Sequence, residues 1–257
     1  GRIPVVLVHG TVSSEGRWAD MLNELENDPR IADRYQFWLF HYDTGNPVPY
    51  SAMLLRNALT ASVKQLDPEG KDPALQNMVV IGHSQGGLLT KLTATDTGDN
   101  LWKALGIKNL EETNLDTNQL KLLRSYTVFE PLPFVKRVVF ISTPHRGSYL
   151  STGFARRISR KLVTLPNTLM QQAKELSGLA QKLKLEMKGV PTSLDSMSTS
   201  NKFLLALADI PPAPGVKANS IIAVEGTGDY HEGKDGLVAY PSAHVEYAES
   251  EFIVRSF

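Results

Sequence analysis

The sequence predicts an α/β fold: a mainly parallel β-sheet with helices on both faces, built as one domain over residues 1–257. Three observations carry this. Short β-rich apolar runs alternate with segments of helical periodicity along the chain. The apolar share of 42% with 21% charged residues suits a protein that buries a substantial core. The runs are short and nearly continuous in apolar character, as strands covered on both faces should be.

The elements follow in order. Ile3 to Val8 is the first strand and ends at His9-Gly10. Trp18, Met21, Leu22 and Leu25 recur at helical spacing, and Gln36 to Tyr42 is the second strand. Met53, Leu55, Leu59, Val63 and Leu66 stripe a helix that Asp67-Pro68-Glu69-Gly70 stops. Met78 to Ile81 is a strand followed by Gly82-His83-Ser84-Gln85-Gly86-Gly87 and then a helix from about Leu88. Lys136 to Ser142, Ser220 to Val224 and Phe252 to Val254 complete the strands. Two stretches exceed a minimal alternation, 97–134 and 147–216, and are expected to be helical cap or lid insertions over the active end of the sheet.

Composition excludes several classes. Lys plus Arg and Asp plus Glu balance at 27 each, so no net field draws the chain to nucleic acid. Cysteine is absent, which removes disulfides, thiolate metal sites and a cysteine nucleophile. No apolar run reaches the length of a membrane-spanning helix. No P-loop, G-x-G-x-x-G or H-E-x-x-H occurs, and no cofactor is implied.

Gly82-His83-Ser84-Gln85-Gly86 matches G-x-S-x-G between a strand and a helix, the context in which that motif forms a nucleophile elbow. The glycines flanking Ser84 let a sharp turn lift the hydroxyl above the sheet. The amide of Gln85, at a helix N-terminus, is then placed to stabilise an oxyanion. The loop after the first strand supplies the second amide in such sites. Thr11 is the candidate there, with Val12 next.

Four blocks resemble the lipase/esterase branch of the α/β-hydrolase superfamily. They are Val8-His9-Gly10-Thr11, Gly82 to Gly87, Thr143-Pro144-His145-Arg146-Gly147-Ser148 and Asp235-Gly236-Leu237-Val238. The likeness is greatest to bacterial lipase-like hydrolases and more distant to glycolipid-anchor deacylases. It implies a carboxylic-ester hydrolase in which Ser84 is the nucleophile, Asp235 the triad acid and His145 structural or substrate-lining. Asp229 is the alternative acid. A phospholipase, thioesterase or acyltransferase uses the same triad, and a non-catalytic binding module shares the fold. The expected partner is a small-molecule or lipid ester. The sequence leaves the compartment of this soluble domain open, with the bacterial cell envelope or the exterior as the expectation.

The base departs from the pattern. Of six histidines only His244 follows Asp235, and it precedes the last strand, whereas relatives carry the base just beyond that strand. The expectation is a histidine beyond Phe257, in a natural protein longer at both ends, with His244 dispensable. Finally, Phe154 to Gly189 holds eight basic residues against two acidic ones on an amphipathic pattern. It reads first as a cap helix with its apolar stripe on the core that governs chain-length preference, and as the alternative reading a surface for transient lipid contact.

Overall fold

The computed structural model describes residues 1–110, 112–148, 178–179, 182–183 and 197–256. Six strands form one sheet: β1 (Ile3–Val8), β2 (Tyr35–Phe40), β3 (Met78–His83), β4 (Val135–Ile141), β5 (Lys217–Glu225) and β6 (Ser250–Ser256). Their order is β2-β1-β3-β4-β5-β6, and every adjacent pair is parallel. All six C-terminal ends therefore meet at one edge, where ligands bind in open α/β sheets.

The helices are α1 (Ala19–Glu26), α2 (Pro29–Ala32), α3 (Val48–Leu66), α4 (Gln85–Ala94), α5 (Asn100–Ala104), α6 (Thr117–Thr127), α7 (Lys202–Asp209) and α8 (Tyr240–Ala243). Val48, Ala52, Leu55, Leu59 and Val63 recur every three or four residues and form the buried face of α3. The Asp67 carboxylate stops that helix by accepting the Lys71 and Asp72 amides. A capping box opens α6: Asp116 accepts the amides of Asn118 and Gln119, and the Gln119 side chain returns to the Asp116 amide.

Helix α4 begins three residues earlier than its apolar pattern suggests. Gly86 and Gly87 are poor helix formers, so periodicity shows only from Leu88. Packing explains them, because every residue of α4 is buried between α3 and the sheet. Lys91 is among these. Its Nζ donates to the Ala208 carbonyl at 2.9 Å and lies 4.8 Å from the centre of the Tyr247 ring. Burial, reinforced by the positive charge of Arg146, lowers the Lys91 pKa to about 7, while Asp209 and Glu246 oppose the shift.

The main core joins both layers through Val6, Val8, Leu55, Leu88, Leu92, Val138, Phe140, Leu204 and Val245. A separate cluster in residues 97–134 unites Trp102, Ile107, Leu110 and Leu123, and Leu179 packs into it. Lys182 Nζ adds a 3.0 Å bond to the Gln119 side chain, a second contact between the two stretches. Nearly all of Phe154 to Gly189 lies outside the described residues. Among the described residues, no helix is long and apolar enough to cross a membrane.

Candidate active site

The strand ends place the sequence-derived residues. β3 stops at His83, and the Ser84 amide donates to the Ile141 carbonyl at 2.8 Å, so β4 holds the backbone one residue past the strand. Ser84 then turns at φ 53°, ψ −124°, and α4 starts at once with Gln85. A non-glycine residue in such a conformation costs about 1–3 kcal/mol and persists only where its surroundings enforce it.

The enforcement comes from glycines packed against backbone. A Cβ on Gly82 would collide with the Gly86 carbonyl and the Thr90 hydroxyl, and one on Gly87 with the Thr143 side chain. At Gly86 it would meet the carbonyls of Val8 and His9 at the end of β1. Gly86→Ala is accordingly expected to destabilise the protein by about 1–3 kcal/mol or more, read from the urea midpoint, since main-chain carbonyls cannot step aside. Gly228→Ala should be close to neutral, because its Cβ would touch nothing within 4 Å.

The first loop lies directly on this turn. A Cβ on Gly10 would stand 2.9 Å from Ser84 Cβ. Thr11 Oγ1 donates to Gln85 Oε1 at 2.6 Å, tying together the two residues whose amides are the candidate oxyanion donors. Gln85 is the first residue of α4, where an amide has no intrahelical acceptor. The Val12 amide is already spent on Thr44 Oγ1 at 3.2 Å, which leaves Thr11 the better placed of the two loop candidates. The Thr11–Gln85 bond was not legible in the sequence, since 74 residues separate its partners.

Asp235 follows β5 in a tight turn. Its Oδ1 accepts the amides of Leu237 and Val238 at 3.0 and 2.7 Å, and Gly236 takes φ 87°. No described residue donates to its second carboxylate oxygen. The Ser148 hydroxyl donates to the Leu237 carbonyl at 2.6 Å, fastening this turn to the loop after β4. Only β4 separates β3 from β5, a distance of about 10 Å between strand axes. Burial lowers the His83 pKa, the positive charge of Arg17 lowers it further, and the Asp235 carboxylate opposes both. The Asp235 charge therefore acts on the residue next to Ser84. Asp229, by contrast, is exposed and bonds His231 Nδ1 at 2.8 Å and the His231 amide at 3.0 Å, which lowers its pKa.

The histidines stand in other surroundings. His244 Nδ1 contacts Glu251 Oε2 at 2.7 Å and the Tyr240 hydroxyl at 3.1 Å, so its carboxylate is Glu251 and not Asp235. Arg146 Nη1 donates to the His244 carbonyl at 2.7 Å and secures that segment. His145 has no exposed surface and stands edge-on to Phe140, with ring centroids 4.6 Å apart. Burial holds its pKa well below the usual value. Of its two expected roles, structural or substrate-lining, this packing fits the structural one. None of the six histidines hydrogen-bonds Ser84 or Asp235 among the described residues.

No family model matches the sequence, and no curated protein is similar to it in sequence. Similarity appears in three dimensions. The crystal structure of Bacillus licheniformis lipase BlEst2 in its mature form superposes with a TM-score of 0.54 at 15% identity, covering 98% of this chain and 84% of that one. EstA from Clostridium botulinum gives a TM-score of 0.54 at 15% identity over 99% of this chain and 81% of that one. Phospholipase PlaB from Legionella pneumophila gives 0.51 at 15% identity, with 94% of this chain matching 45% of the larger protein. The parallel sheet, its strand order and these superpositions show that the chain has the α/β-hydrolase fold found in bacterial lipases and esterases.

Proposed function

We propose that this chain is a carboxylic-ester hydrolase that works through a serine acyl-enzyme. The observation that carries the reading is Ser84 at φ 53° between β3 and α4, in a turn that tolerates only glycine at its packed positions. A nucleophile lifted above the sheet accounts for that strained residue. In this reading Ser84 Oγ attacks the ester carbonyl, and the amides of Thr11 and Gln85 receive the oxyanion. The alcohol leaves with a proton, and water then releases the acid.

The proton must pass through an imidazole that reaches both Ser84 and Asp235. We place that imidazole after β6. The strand runs parallel to β5, and Arg255 near its end donates to the Gly226 carbonyl at 2.9 Å, so the chain leaving it emerges beside the loop that leads to Asp235. Such an imidazole would span the gap above β4 with one hydrogen bond to each partner.

The test is turnover of nitrophenyl acetate and butyrate by the full-length protein, before and after treatment with a fluorophosphonate. Hydrolysis abolished by the reagent is the expected result. A folded full-length protein that turns over neither ester nor any longer acyl homologue would overturn the reading.

A further inference from the structure

We propose that His9, Glu15 and His41 form a zinc-binding site at the C-terminal ends of β1 and β2, independent of the Ser84 chemistry. The three come together through strand register. Val8 pairs with Phe40 in the parallel β1–β2 ladder, so the next residue on each strand, His9 and His41, stands beside the other. Glu15 opens the 3-10 turn Glu15–Trp18 that follows the loop after β1. One donor atom from each of the three side chains lies within 4.8 Å of the other two.

His9 supplies the second, separate observation. Its side chain is 1% exposed, yet Nε2 has no hydrogen-bond partner. Leaving a buried ring nitrogen without a partner is costly. Its Nδ1 faces the Gly10 carbonyl at 3.2 Å, so that nitrogen carries the hydrogen and Nε2 keeps its lone pair. This is the arrangement of a metal-bound histidine, in which a backbone carbonyl fixes the tautomer and the other nitrogen binds the ion. The ring is also held in orientation by stacking on Tyr42 at 4.6 Å, and the Tyr42 hydroxyl donates to the His9 carbonyl at 2.7 Å.

The other two ligands are free to adjust. The His41 side chain is 79% exposed and meets Glu15 through Nδ1 at 3.0 Å. Tetrahedral zinc bonds of about 2.1 Å require ligand atoms about 3.4 Å apart, so separations of up to 4.8 Å must contract by at most about 1.4 Å. Rotation of the exposed His41 and half-exposed Glu15 side chains supplies that. Two imidazoles and one carboxylate match the ligand preferences of zinc, and three protein ligands leave a fourth position for water. The bound ion would tie β2 to the loop that carries Thr11.

Tag-free full-length protein, stripped with a chelator, is titrated with zinc chloride by calorimetry. One equivalent should bind, and His41→Ala or Glu15→Gln should weaken that step by about 100-fold or more. Both positions are at the surface, so the fold is expected to survive, with circular dichroism as the check. His231→Ala, which removes an exposed histidine paired with Asp229, should leave the step unchanged. No saturable equivalent, or one of the same affinity in both His41→Ala and Glu15→Gln, would overturn the site.

Discussion

Ser84→Ala in the full-length protein is expected to lower kcat for nitrophenyl butyrate by about 10⁴-fold or more while the protein stays folded. In serine hydrolases the nucleophile and its base act as a unit, so removing the hydroxyl removes nearly all covalent catalysis and leaves only what binding and oxyanion donors supply. The folded state should tolerate the change. Ser84 Oγ has no hydrogen-bond partner among the described residues, and alanine keeps the same Cβ at φ 53°. A drop in kcat with little change in the urea midpoint is therefore the signature to look for. Substantial activity in Ser84→Ala would mean that another residue attacks the ester.

Asp235→Asn should cost about 10³- to 10⁴-fold in kcat with the fold retained. Asparagine Oδ1 can still accept the Leu237 and Val238 amides that shape the turn, so the local backbone should not move. What is lost is the negative charge and the second acceptor oxygen. The amide NH₂ that replaces it would face the base and favour the wrong imidazole tautomer. Asp229→Asn should remain within a few-fold of wild type, since that carboxylate is exposed and occupied by its own neighbour His231. Collapse of activity in Asp229→Asn with near-normal Asp235→Asn would transfer the acid role to the earlier loop.

Much of the fold was legible because each strand is written locally. Val5 to Val8 are all buried, and such a run reads as a covered strand without any tertiary knowledge. The Ser84 turn was legible for a related reason: glycines at fixed offsets report steric demands that hold wherever the turn occurs. The start of α4 was not, because Gly86 and Gly87 answer to the carbonyls at the end of β1 and to Thr143, which lie far away in sequence. The same limit hid the Thr11–Gln85 bond, whose partners lie 74 residues apart. Their proximity depends on how the sheet is ordered. The burial of His145 was hidden for a similar reason, since a histidine in a loop after a strand looks accessible until Phe140 stands edge-on against it. His9 and His41 meet only through the β1–β2 register, and no spacing motif records that.

Labelling with a fluorophosphonate followed by peptide mass spectrometry tests the central assignment most directly, because the reagent bonds only to a serine that its surroundings have activated. Full-length protein should carry one adduct, on the peptide containing Gly82-His83-Ser84-Gln85-Gly86, and Ser84→Ala should carry none. An adduct on a different serine, or ester turnover by a protein that takes up no label at all, would contradict the account.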